Sequence, residues 1–156
     1  MSYDAEGAVG AGIFAGVVVT LILYVFLALF PRVKINLLHF LGTVFQVGRA
    51  WQVYPLGLLA FLVISAILGL IHASLYEAFG IDTNMVSWGL IFGIAQWLID
   101  GALMGPASRL HPGVKTGLAD DLGYFLVNER TAAAMAFLVV HLLFGVFVAT
   151  FYDALR

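Results

Sequence analysis

The chain has no cysteine, which removes disulfides, thiolate metal sites and iron–sulfur clusters from consideration. Charge is almost as scarce. Asp, Glu, Lys and Arg make up 10% of the residues and the formal net charge is −2, so no concentrated basic surface exists for a phosphate backbone and nucleic acid is excluded as a partner. No glycine-rich phosphate loop occurs, and Thr20, Ser74 and Thr150 have no recognisable base and acid arranged for nucleophilic catalysis. His39 and His111 lack a second ligand at metal spacing. These absences point to a non-enzymatic protein with no metal site and no required cofactor. Lys and Arg are missing from Met1-Ser2-Tyr3-Asp4-Ala5-Glu6 as well, where a secretory signal would carry them. The apolar run that follows is too long for a signal, so a retained membrane helix is expected there.

Hydrocarbon fills the composition instead. Of 156 residues 63% are hydrophobic and the mean hydropathy is +1.05, a balance that belongs in lipid. Spanning segments occupy most of the length, so a single transmembrane domain over 1–156 is expected, with no separate soluble catalytic domain. Four stretches, at about 8–30, 55–79, 86–104 and 131–154, can each cross a hydrocarbon core of roughly 30 Å, which takes about 20 helical residues. Pro31 is expected to end the first, Pro55 to open the second from its first turn, and Gly105-Pro106 to stop the third.

Basic residues orient the spans. Arg32, Lys34 and Arg49 fall between the first and second, Arg109, Lys115 and Arg130 between the third and fourth, and Arg156 alone on the other side. The positive-inside rule then places both longer loops in the cytoplasm and both termini outside, in a prokaryotic inner or plasma membrane. Trp51 and Tyr54 inside, and Trp88, Tyr76 and Tyr152 outside, are expected at interface level. Within the first loop Leu37, Leu38, Phe40, Leu41, Val44 and Phe45 recur at helical spacing, with Asn36, His39, Thr43 and Gln46 between them, which predicts a helix near 36–47 lying in the interface. The second loop has a shorter counterpart in Leu118, Leu122, Phe125 and Leu126, with Asp120, Asp121 and Tyr124 elsewhere.

The most specific signal is internal. Residues 62–78 align without gaps on 138–154, matching Gly69 with Gly145, Ala73 with Ala149, Ser74 with Thr150, Tyr76 with Tyr152 and Glu77 with Asp153. Gly12 and Gly16 mirror Gly89 and Gly93 in the same way. The expected fold is therefore all-α, a membrane four-helix bundle of two tandem hairpins, about 8–79 and 86–154, each with a cytoplasmic interfacial segment. Each unit crosses the membrane twice, so the repeats should be related by an axis along the membrane normal. Gly12, Gly16, Ser65, Gly69, Ala73, Gly89, Gly93, Gly145 and Ala149 put small residues on helix faces where backbones can approach, and these are the expected packing contacts.

Four patterns also resemble a family of small prokaryotic four-helix membrane proteins catalogued only as a domain of unknown function. They are Gly10-x-Gly12-x3-Gly16, Leu38-x2-Leu41-Gly42-x2-Phe45, Trp88-Gly89-x3-Gly93-x3-Trp97 and His141-x3-Gly145-x3-Ala149-x2-Tyr152, and the resemblance covers nearly the whole chain. In such relatives a histidine often precedes the position of Trp97, where this chain has Gln96. The resemblance implies a fold and no activity.

A few polar side chains stand out against this background. His72 and His141 are the candidates for a haem or pigment ligand, because an imidazole in lipid needs a metal or a hydrogen-bond partner. The repeat sets His141 level with Ser65, roughly 10 Å of helical rise from His72, which argues against one haem shared by both. His141, about ten residues into its span, should contact another helix, whereas His72 lies nearer the outer end and should reach the interface more easily. Asp100, one turn after Gln96, is either a functional intramembrane carboxylate or an interfacial acid paired with Arg109. Glu77 and Asp153 repeat a charge disfavoured at helix C-termini, as solvated charge or as an acidic edge for a partner or cation.

The leading expectation is a non-catalytic accessory or structural subunit, packed in the bilayer against other membrane subunits or against itself. The alternative is a small carrier or channel-like protein whose polar pathway is Gln96, Asp100 and His141. A haem- or pigment-binding protein using His141 is the third reading.

Overall fold

A computed structural model describes residues 3–30, 36–46 and 49–155. Its helices are α1 (Ala5–Leu29), α2 (Leu37–Thr43), α3 (Ala50–Ala78), α4 (Met85–Leu110), α5 (Pro112–Lys115) and α6 (Thr131–Leu155), with a 3₁₀ turn at Tyr124–Leu126 and no strand among the described residues. α1, α3, α4 and α6 are long and apolar enough to cross a membrane, which identifies an integral membrane protein by length and composition. The role expected of Pro31 and the loop positions of Arg32 and Lys34 lie outside the described residues.

The helices start and stop for local reasons. Asp4 caps α1, its Oδ1 accepting from the Glu6 and Gly7 amides at 3.1 Å each. Two proline expectations need correction. α3 begins at Ala50, so Pro55 lies inside it rather than opening it; the missing N–H costs only one bond, to the Trp51 carbonyl, near the start of the helix. α4 likewise continues through Pro106 to Leu110. Packing holds that last stretch in place: Ser108 is buried and its Oγ accepts from the Leu122 amide at 3.3 Å.

The surface segments also differ from expectation. α2 is real but stops at Thr43, leaving Val44 and Phe45 exposed in a turn. Thr43, expected on the polar side, is 1% exposed. The cause is a close crossing, in which Gly42 lies against the Val53 carbonyl and Gly57 against the Leu38 carbonyl. The segment carrying Leu118, Leu122, Phe125 and Leu126 forms no α-helix beyond its 3₁₀ turn. Gly117 and Gly123 adopt positive φ, and Asp121 Oδ1 accepts from the Gly123 amide at 2.9 Å, a local turn that competes with helix. Phe125 and Leu126 follow at φ 50° and 58°, a strain held by tertiary contact: Phe125 packs on Gly101 with its ring 5.0 Å from that of Trp97.

α1 packs along both α3 and α6, and α4 packs along α6. α3 touches α4 only marginally, and α1 does not reach α4 among the described residues. Across the bundle the order is therefore α3, α1, α6, α4. At the end carrying the Gly80 turn, here the turn end, the gap is closed by Tyr76, Phe92 and Tyr152. The Tyr76 and Tyr152 rings stack at 6.2 Å and Tyr76 meets Phe92 at 5.4 Å. Both tyrosines, expected at the interface, are core residues at 0% and 1% exposure. Toward the opposite, loop end, among the described residues, α3 and α4 are separated by a gap.

At the loop end His111 joins two segments. Its Nε2–H donates to the Phe40 carbonyl at 2.9 Å and its Nδ1 accepts from the Val114 amide at 3.3 Å, which fixes the neutral tautomer. Burial pushes the imidazole below its ordinary value of 6.5, against a smaller opposing pull from the Phe40 bond. A histidine so depressed binds fewer protons folded than unfolded, so its contribution is intact above the unfolded value and is lost as pH falls through 6.5 toward the folded one. Hydrogen exchange at the Val114 amide, corrected for intrinsic rate, should therefore accelerate as pH drops below that value, and His111→Gln should abolish the pH dependence. A protection factor unchanged by pH in the native chain would refute the bridge.

Candidate functional site

The gap between α3 and α4 is a cavity of about 300 Å³. Its walls come from α1, α2, α3, α4, α6 and the loop residues Leu122 and Leu126. They are overwhelmingly apolar, with Phe40, Phe61, Phe137 and Phe144 among them, and the polar lining residues are Asn36, Ser65, Gln96, Asp100 and His141.

Three of these form one hydrogen-bonded group. Gln96 and Asp100 are four residues apart on α4 and so share a face; Gln96 Nε2 donates to Asp100 Oδ2 at 3.3 Å. From α6, His141 Nε2 lies 3.1 Å from the same oxygen. The other ring nitrogen, Nδ1, is 2.7 Å from the Phe137 carbonyl, an acceptor that can only receive. Nδ1 therefore carries hydrogen. A neutral imidazole would then present a lone pair to a carboxylate, so a proton must lie between Nε2 and Oδ2. The pair is either imidazolium with carboxylate or imidazole with carboxylic acid, one proton beyond neutral imidazole plus ionised acid. His141 is 7% exposed, whereas the Asp100 side chain keeps 35% of its surface open.

The expected polar residues Gln96, Asp100 and His141 are thus brought together, and His141 contacts another helix. Asp100 does not pair with Arg109, whose guanidinium stands 5.9 Å over the Tyr124 ring. His72 does not sit at an accessible interface: it is 2% exposed and ringed by Tyr76, Phe92 and Phe144 at 5.9 to 6.4 Å. Its Nδ1 donates to the Leu68 carbonyl at 2.9 Å, and its Nε2 has no partner. Both nitrogens of His141 are engaged, Nδ1 with the Phe137 carbonyl and Nε2 with Asp100. Among the described residues no three His, Asp or Glu side chains gather as a metal site. Glu77 and Asp153 are both exposed.

The small residues pack inside the chain. Gly12 meets Gly69 and the Ser65 carbonyl, and Gly16 meets the Ser65 side chain. Gly89 meets Gly145 and Ala149, and Gly93 meets the His141 backbone. Ala73 is buried with Tyr76 and Ala149 in one core cluster. Two site features escape a sequence reading. Ser65 lines the cavity with its Oγ buried and unpartnered; its alignment with His141 was the available signal. Asn36 caps α2 and bridges two hydroxyls, accepting from Tyr24 at 3.1 Å and donating to Tyr54 at 2.8 Å, which no local pattern announces. No family model, curated protein or solved structure matches the chain.

Proposed function

We propose that this chain is a small carrier-type membrane protein that takes a ligand into the cavity between α3 and α4, with Gln96, Asp100 and His141 as its polar site. The observation that carries the reading is the proton-holding contact of His141 with Asp100, 3.1 Å, on the wall of an otherwise apolar cavity. An ionisable pair placed among apolar side chains is costly and is kept where a proton, ion or polar head is handled. Against the accessory-subunit reading stands the use of the small-residue faces: Gly12, Gly16, Gly69, Gly89, Gly93 and Gly145 all meet helices of this same chain.

We take the chain to be two equivalent hairpins. Gly12 on Gly69 and Gly89 on Gly145 are equivalent pairs, and the equivalent Tyr76 and Tyr152 stack on one another. A strict two-fold would then pack α3 on α4 as α1 packs on α6. It does not, and the cavity lies where that contact is missing. In the orientation proposed, with α2 and α5 on the cytoplasmic side, the opening is in the cytoplasmic half, and closing α3 on α4 would shut it.

Pulsed electron–electron resonance tests the movement, helped by the absence of native cysteine. Spin labels at Leu59→Cys and Ala102→Cys, both exposed positions on α3 and α4, should report a distance that shortens in part of the population when Asp100→Asn removes the charge. One narrow distance, unmoved by that change, would mean a static protein and end the carrier reading.

A further inference from the structure

We infer that the cavity's ligand is a membrane-partitioned organic cation, an apolar body bearing a protonated amine, and that it exchanges with the proton held between His141 and Asp100. The inference rests on the carrier reading above. Its first support is charge. Among the described residues no Lys or Arg lines the cavity, and Asp100 and His141 are the two titratable lining groups; the described residues of α1, α2, α3 and the loops contribute none. Among these residues an anionic ligand would find no fixed positive partner beyond the imidazole already paired with Asp100.

The second support is the inventory of unused groups. Gln96 Oε1 is buried without a partner, and so is the Ser65 hydroxyl, which can accept. Both hydrogen bonds to Asp100 fall on Oδ2, so Oδ1 is available on a side chain that is one-third open. Gln96 Oε1 and Asp100 Oδ1 can only accept and the Ser65 hydroxyl can do so as well as donate, so acceptor capacity predominates, and an ammonium supplies donors to meet it. The third support is aromatic: Phe61, Phe137 and Phe144 line the same space, and ring faces attract a cation while also solvating an apolar body.

The balance of the exchange follows. An ammonium placed at Asp100 puts a second positive charge beside the pair, and the pair responds by releasing its proton to solvent. Asp100 is then a carboxylate, His141 keeps hydrogen on Nδ1 for the Phe137 carbonyl, and its Nε2 lone pair becomes a further acceptor for the ammonium. Net charge in the cavity is unchanged: one cation enters and one proton leaves.

The probes are phenylbutylamine, which is protonated at neutral pH, and phenylbutanol, its uncharged counterpart of equal length, titrated calorimetrically into the full chain in lipid nanodiscs. The amine should bind saturably, about tenfold or more tighter than the alcohol. Binding in weak buffer should release up to one proton per amine. Asp100→Asn should abolish the charge preference and the proton release, and Asp100→Glu should restore both in part, which separates loss of the carboxylate from loss of folding. Equal binding of amine and alcohol, or amine binding without proton release, overturns the cation inference while leaving a ligand cavity. Failure of both probes to bind also overturns it; if the labelled helices still move, the carrier reading survives, and if they do not, both fall.

Discussion

Replacing Gly145 by leucine should prevent the bundle from assembling. Gly145 faces the Gly89 carbonyl and the Gly93 Cα, and Gly89 faces the Gly145 carbonyl in return, so the two backbones cross without room for a Cβ on either side. A clash with a flexible side chain can be relieved by a rotamer change; a clash with a carbonyl requires the helices to separate. Overpacking commonly costs about 1–3 kcal/mol, and this case belongs at the upper end or beyond because α4 packs chiefly on α6. Separation would also pull His141 from Asp100. In a denaturing-detergent titration monitored by tryptophan fluorescence, Gly145→Leu should shift the midpoint strongly or leave no cooperative transition. Gly80→Ala provides the contrast: φ is +63° there but nothing lies within 4 Å of an added Cβ, so only the backbone strain of a left-handed alanine, about 1 kcal/mol, is expected. Equal, small effects at both positions would show that the close crossing carries little of the stability.

How much of this was legible depends on the range of the interaction. The four spans follow from long apolar runs, because lipid obliges every backbone group to bond within its own helix. Gly12, Gly16, Gly89 and Gly93 stand out at four-residue spacing because a helix tolerates repeated glycine poorly unless something approaches it. The Gln96 to Asp100 bond is likewise written in i, i+4 spacing. The helix ends were less legible: Pro106 reads as a stop, and only the packing of Ser108 under Leu122 lets α4 continue. The burial of His72 and the stacking of Tyr76 on Tyr152 were illegible for another reason. Both require α3 and α6 to meet at the turn end, and a pairwise repeat does not say which faces its two copies share. The cavity has the same origin, since it exists because α3 and α4 fail to pack as α1 and α6 do.

His141→Leu should be more damaging alone than in company. The single substitution leaves Asp100 on an apolar wall with only Gln96 Nε2, at 3.3 Å, to stabilise it. Stranding one partner of a fully buried pair costs about 3–5 kcal/mol, whereas replacing both partners by apolar residues is often neutral. Asp100 keeps 35% of its side chain open, so screening reduces the expected loss to about 2 kcal/mol. Asp100→Leu alone should also destabilise, because it leaves His141 Nε2 buried without a partner beside the Phe137 ring, 4.3 Å from its own. The double variant should be more stable than the sum of the two losses implies, by about 1 kcal/mol or more, a coupling larger than the roughly 0.6 kcal/mol averaged by hydrogen bonds between membrane helices. A double-mutant cycle in the same detergent titration measures it. Strictly additive losses would mean that His141 and Asp100 are neighbours without a shared proton, and with that the chemical basis assigned to the cavity would be gone.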